Sequence, residues 1–150
     1  MGEINIQVRP AEDEDARFVY STWLRCYRVG SPSNLLIPRK VFYESHHPLL
    51  EKLISISNVA VAHPVGEPGV ILGYLVFQRR ALGDVVHFGF TKSPFREFGV
   101  MRTILAAMDV DLHKSCFTFW TRDSMSLIDK FQGFTYNPYL VGGGPSRENT

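Results

Sequence analysis

Residues 85–107, VVHFGFTKSPFREFGVMRTILAA, constrain this chain more than any other stretch. An apolar run over 85–91 reads as a strand. Pro94 breaks it and Gly99 supplies a turn, after which Val100, Ile104, Leu105 and Met108 recur at the three-and-four spacing of one helix face. The chain must pass from strand to helix within a few residues, so the amides of the helix start gather at the strand's end. Such a start binds anions, because its first N–H groups have no intrahelical acceptor and carry the positive end of the helix dipole. With Arg96 and Arg102 close in sequence, the place suits a pyrophosphate, which is rich in acceptors and doubly charged.

The rest of the sequence must build a frame for that turn. Ile4, Ile6 and Val8 alternate with polar residues as in a half-buried strand, and Pro10 ends it. The acidic run Glu12–Asp15 sits where a helix dipole favours negative charge, which accounts for it without a metal, and a helix is predicted over 13–28. Gly30 to Asn34 is turn-rich, and residues 35–38 are an apolar connector able to line a pocket. Over 39–57 helical spacing returns around Pro48, which predicts a short helix followed by a second one starting near the proline. Runs 59–63 and 70–80 are rich in β-formers and flank a loop of Pro and Gly. With 85–91 they predict a three-stranded antiparallel meander entered through a turn at 81–84. A helix over 99–113, a strand over 116–121, a short helix over 125–131 capped by Ser124, and a last strand through Thr135, Tyr136, Tyr139 and Leu140 complete the order.

At 150 residues and 45% hydrophobic, this is one domain's worth of chain, expected over 1–141 with a flexible Gly-rich tail over 142–150. Sixteen Lys plus Arg against fifteen Asp plus Glu give a net charge of +1 and no field to draw in nucleic acid or an anionic membrane. No apolar run approaches the roughly 20 residues of a bilayer span, and Ile6 stands where a myristoylation signal would need Ser or Thr, so a cytoplasmic protein without membrane contact is expected. Cys26 and Cys116 lack the spacing of a metal or redox pair, and His46, His47, His63, His87 and His113 lack that of a ligand set, so no metal is expected.

Arg96-Glu97-Phe98-Gly99-Val100-Met101, after an apolar strand and before an amphipathic helix, resembles the acyl-CoA loop of the GNAT-type N-acyltransferases, which reads Arg/Gln-x-x-Gly-x-Gly/Ala. Arg96 and Gly99 match; Met101 replaces the small residue and Glu97 adds a negative charge. Gly73-Tyr74-Leu75-Val76 and the ending Lys130-Phe131-Gln132-Gly133-Phe134 resemble further family features. The element order is similar as well and covers nearly the whole chain. The resemblance implies an α/β (α+β) GNAT-like fold: a central mixed, mostly antiparallel sheet of six to seven strands with helices on both faces. It implies acetyl-CoA as cofactor, with Phe88, Gly89, Phe90 and Thr91 pairing with pantetheine like an added strand, and Arg96, Glu97, Phe98, Gly99, Val100, Met101 and Arg102 around the pyrophosphate. It also places Tyr43, Glu44, His46 and His47 on the acceptor side.

Acyl transfer from a thioester to an amine needs a proton acceptor, donors for the developing oxyanion and sometimes an acid for the thiolate. Asp84 and His87 are the candidate bases on the central strand, with Glu44 or His46 reaching in from the helical pair as further candidates. The family's acid position falls on Asp129, ionised at neutral pH, with Tyr136 beyond the turn as a weak substitute. Two functions follow. One is an N-acyltransferase, monomeric or homodimeric, acting on an amine of a small molecule or protein. The other is a GNAT-like scaffold without turnover that binds a protein partner, as in compact bacteriophage members of the superfamily, which would place it in a host cytoplasm. The departures at Glu97, Met101, Arg122 and Asp129 are what the second reading rests on.

Overall fold

Strands and helices follow one another much as the periodicity predicts. The protein's structure, a computed structural model, describes residues 5–81, 83–93, 95 and 99–142. In order these form β1 (Ile6–Pro10), α1 (Ala16–Gly30), α2 (Arg39–Ile56), β2 (Asn58–Pro64), β3 (Gly73–Arg80), β4 (Gly83–Thr91), α3 (Val100–Met108), β5 (Cys116–Phe117), α4 (Arg122–Lys130) and β6 (Thr135–Tyr136). The six strands lie side by side in sequence order; β1 to β4 run antiparallel, while β5 and β6 run parallel to β4. No helix among the described residues is long and apolar enough to cross a membrane.

The sheet divides two cores. Against one face α1 and α2 bury Val19, Trp23, Phe42, Leu50 and Leu53 over Val61, Tyr74 and Val76. Against the other, α3 lays Val100 and Ile104 over Ala60, Ala62, Leu75 and Phe77, with Leu127 and Ile128 of α4 packed alongside. Gly73 allows this contact: a Cβ there would stand 2.5 Å from the Phe90 carbonyl and 3.0 Å from Val100 Cγ1, so the glycine lets α3 and β4 close on the strand between them.

One irregularity in β4 shapes everything beyond it. Phe77 pairs with Val86 and Val76 with Phe88, which leaves His87 as an extra residue, a β-bulge. The extra residue reverses the alternation of side chains. Val86 therefore belongs to the α3 core, whereas Phe88 and Phe90 turn toward α1.

Several sequence-based expectations are corrected. Helix α2 runs through Pro48 without a break, because Phe42, Leu50 and Leu53 form one buried stripe; the burial outweighs the single bond that a proline N–H cannot make to Glu44. Helix α3 ends at Met108 rather than at residue 113: Asp109 takes a left-handed conformation (φ 55°) and its N–H caps Ala106 and Leu105. Val110 and Leu112 prolong the apolar pattern from outside the helix, in the segment leading to a 3-10 turn over Leu112–Lys114. Strand β3 starts at Gly73 rather than at residue 70. Helix α4 starts at Arg122, because Thr121 and Ser124 cap each other across its first turn. Tyr139 and Leu140 sit in a 3-10 segment, Pro138–Gly142, rather than in a strand. The connector and the helix start were also read too simply: Pro32–Leu36 and Asp13–Asp15 are 3-10 turns, and Leu36 is exposed.

Candidate functional site

Strand β5 is far shorter than the β-forming run 116–121 predicts. Cys116 and Phe117 pair with Val85 and Val86, and the Thr118 N–H reaches the Val86 carbonyl at 3.2 Å. Beyond that, no backbone hydrogen bond among the described residues joins 88–91 to 119–121. The two strands diverge into a fork, leaving β4 with one free edge over Phe88, Gly89, Phe90 and Thr91. β-propensity cannot supply a ladder partner, so Thr118 to Trp120 leave the sheet, with Thr118 and Phe119 buried and Trp120 half-buried.

The free edge runs toward the start of α3. Gly99, its N-cap, has φ 71°, and no described atom lies within 4 Å of where its Cβ would be, so conformation rather than crowding demands the glycine and the space before the helix stays open. The first helical bond runs from the Thr103 N–H to the Gly99 carbonyl at 2.9 Å, so the amides of Val100, Met101 and Arg102 precede it. Met101 turns inward: its Cε and Sδ lie 3.0 and 3.5 Å from where a Cβ on Gly89 would be, so the thioether fills the room that the glycine leaves. Arg96, Glu97 and Phe98 of the predicted loop lie outside the described residues.

On the α1 side the fork is walled by rings. Trp23, fully buried, stacks on Phe88 of β4 (5.5 Å, 12°) and meets Phe119 edge-on at 5.1 Å, so it bridges the two diverging chains. Its indole N–H has no acceptor among the described residues. Phe90 stacks on Tyr74 at 5.3 Å, Phe18 meets Phe90 at 5.8 Å, and Lys92 lies over Phe18 at 5.6 Å.

At the closed end of the fork a polar chain runs from half-buried Arg80 and Gln78 to buried His87 and Thr118. His87, 1% exposed, bonds through Nδ1 to Thr118 Oγ1 at 2.7 Å and through Nε2 to Gln78 Oε1 at 3.0 Å. Gln78 Oε1 also accepts from Arg80 Nη2 at 2.6 Å, and Arg80 in turn donates to the Leu140 carbonyl at 3.0 Å. Burial pushes the His87 imidazole down to about 4, with Arg80 adding to the effect, so the ring is neutral at neutral pH. Neither spacing nor motif singled out Gln78, Arg80, Trp23 or Thr118. The one trace of Thr118 in the sequence is a hydroxyl set within the apolar run Cys116-Phe117-Thr118-Phe119.

The other predicted acid and base groups lie elsewhere. Asp84 sits at the opposite end of β4, paired with Arg79 at 2.6 Å, and Arg79 also donates to the carbonyls of Met108 and Asp109 that close α3. Asp129 is exposed on α4. Among the described residues, none of Asp84, His87 and Asp129 is bonded to another. Of the four predicted acceptor-side residues, His46 stacks on Phe42 at 4.3 Å, Tyr43 also meets Phe42 edge-on at 5.6 Å, and Glu44 pairs with Lys40 at 3.8 Å in solvent. His47 bonds to the Tyr20 hydroxyl and to Glu51 (2.5 Å).

A hollow of about 1210 Å³ lies away from the mouth of the fork. It runs past Glu12, Arg17, Tyr20, His47, Glu51 and Arg79, near the last residue of α3 rather than its first. Volume and chemistry are thus separated, and the convergence of polar groups and free backbone marks the fork as the candidate site.

No protein-family model matches the sequence, and no curated protein matches it. Solved structures match the fold. A protein from Corynebacterium glutamicum described as histone acetyltransferase HPA2 and related acetyltransferase superimposes with a TM-score of 0.54 at 19% identity, covering 72% of this chain and 74% of its own. A GCN5-related N-acetyltransferase from Rhodopseudomonas palustris gives 0.51 at 13% identity, over 73% of this chain and 66% of its own. The chain has the GNAT fold: a mixed six-stranded sheet, mostly antiparallel, with helices on both faces.

Proposed function

We propose that the protein is an acyl-CoA N-acyltransferase, which takes acetyl-CoA at the fork and transfers the acetyl group to an amine of a small molecule or a protein. The observation that carries this reading is the free edge of β4, ending where the amides of α3 begin. Phe88, Gly89, Phe90 and Thr91 offer the backbone groups that an extended chain bearing two amides would pair with. Gly89 is exposed, so such a chain can lie close against it. The amides of Gly99, Val100, Met101 and Arg102, with Arg96, Glu97 and Phe98 of the loop, would hold the pyrophosphate. The cofactor would supply an activated thioester when bound. His87, at the closed end of the fork, is the candidate proton acceptor.

One observation favours a second reading, a GNAT-like binding protein without turnover: Met101 lies over Gly89, along the surface the cofactor arm would follow. Thermal unfolding with and without acetyl-CoA separates the two. A ligand that binds the folded state alone stabilises it by about 2.7 kcal/mol at a hundred times its dissociation constant. A shift of that order supports the transferase. No shift in the wild type, with one appearing in Met101→Gly, would identify the methionine as what closes the site and favour the binding protein.

A further inference from the structure

The polar chain at the fork has a direction that the donors and acceptors fix. Arg80 can only donate, so the atom of Gln78 facing it is the amide oxygen. The same oxygen lies 3.0 Å from His87 Nε2, which must therefore carry the proton. A neutral imidazole then presents Nδ1 as an acceptor, and the Thr118 hydroxyl donates to it. The Thr118 proton is thereby committed, while lone pairs on its oxygen have no other partner among the described residues. Thr118 is also the last residue tied to β4, through its N–H to Val86. Thr118, 3% exposed, thus stands at the point where the two strands part.

We propose that Thr118 and His87 form a proton relay at the closed end of the fork, through which the attacking amine of an acyl transfer loses its proton. This rests on the acyl-CoA reading above. As the amine nitrogen bonds to the thioester carbon, its proton passes to Thr118 Oγ1 while the hydroxyl proton moves to His87 Nδ1. The carbon–sulfur bond breaks, and the proton returns from the imidazolium through Thr118 to the departing thiolate. The products are an amide and a free thiol, with the relay restored. A ring that is hard to protonate in its buried site gives the proton up readily to a thiolate, whose acid has a pKa of about 8.5. Gln78 and Arg80 hold the ring in the tautomer this requires, as positioning residues.

The test combines acetyl-CoA binding, followed by thermal shift, with thiol release in the presence of primary amines (benzylamine, spermidine and a lysine-containing peptide). Thr118→Val should lower kcat by about 100-fold, at the lower end of what general base catalysis contributes, with KM for acetyl-CoA within about threefold. Thr118→Ser, which keeps the hydroxyl, should recover most of the rate. A merely structural threonine would give the opposite pattern: lost stability in both variants and an unchanged kcat. If Thr118→Val does not fold, the ring nitrogen NMR signals of wild-type His87 decide: Nε2 protonated, with Nδ1 shifting on addition of acetyl-CoA and amine, supports the relay, and an unmoved Nδ1 overturns it. Wild-type kcat in Thr118→Val, or acetyl-CoA binding without thiol release for every amine, would also overturn it. Absence of any acetyl-CoA shift would overturn the acyl-CoA reading and the relay with it.

Discussion

Two polar regions of the sheet make opposite use of their side chains. At the end near the close of α3, Glu12, Arg17, Tyr20, His47, Glu51 and Arg79 border a wide hollow, and the His47–Glu51 pair stands 52% and 62% exposed. In the chain that leads to the fork, two half-buried side chains, Arg80 and Gln78, bond in series to two buried ones, His87 and Thr118, and the His87 ring is 1% exposed. In the hollow each charge is solvated and its pairing changes little. In the fork each group is held by the next, and removing one leaves another unpaired away from water. Consecutive residues of one strand thus serve opposite uses: Arg79 borders the open hollow, while Gln78 and Arg80 enter the bonded chain.

The comparison can be broken by experiment. The largest effect is expected at Gly133, which holds φ 99° with its Cα hydrogens against the His113 carbonyl, just before the strand that flanks β5. Gly133→Ala should cost more than about 3 kcal/mol in urea unfolding, since backbone strain and a backbone clash add. Gly66→Ala, also at positive φ (87°) but in open space, should cost about 1 kcal/mol. Next comes acid. The imidazole of His87 titrates near 6.5 when unfolded and about 4 when folded, so between these values the unfolded chain binds the extra proton. Its contribution is complete above pH 6.5 and is lost as pH falls toward 4, amounting to roughly 3 kcal/mol at most. His87→Gln should flatten that limb of the stability curve; an unchanged slope would show that another group causes it. Trp23→Phe removes an indole N–H that has no acceptor among the described residues while keeping a ring between Phe88 and Phe119, and should cost less than about 2 kcal/mol. Smallest of all, Glu51→Gln at the hollow should change stability by less than about 0.5 kcal/mol, and a larger loss would mean that this end is also preorganised.

Periodicity made the order of elements legible, because alternation at Ile6 and Val8 and three-and-four spacing at Val100, Ile104 and Leu105 are local consequences of which face is buried. What it could not show is where a pattern stops having a partner. Thr118 to Thr121 are β-formers, yet the strand they would join has bent away at His87. Pro48 reads as a helix break until the stripe of Phe42, Leu50 and Leu53 is seen to carry the helix past it. The helix start at Gly99 was readable, since a strand, a turn and a helix in succession already imply gathered amides. The relay was not, because Gln78, His87 and Thr118 come from β3, β4 and the segment after β5, which only the assembled sheet brings together.

The bulge at His87 also limits how such a chain can diverge. Since one extra residue sets which way Phe88, Gly89 and Phe90 face, losing or gaining a single position in this strand would exchange the aromatic wall for bare glycine and turn the phenyl groups onto α3. Substitutions can drift across this region, but insertions and deletions of one cannot. Descendants of this sequence should therefore keep the strand's length even after its chemistry has changed.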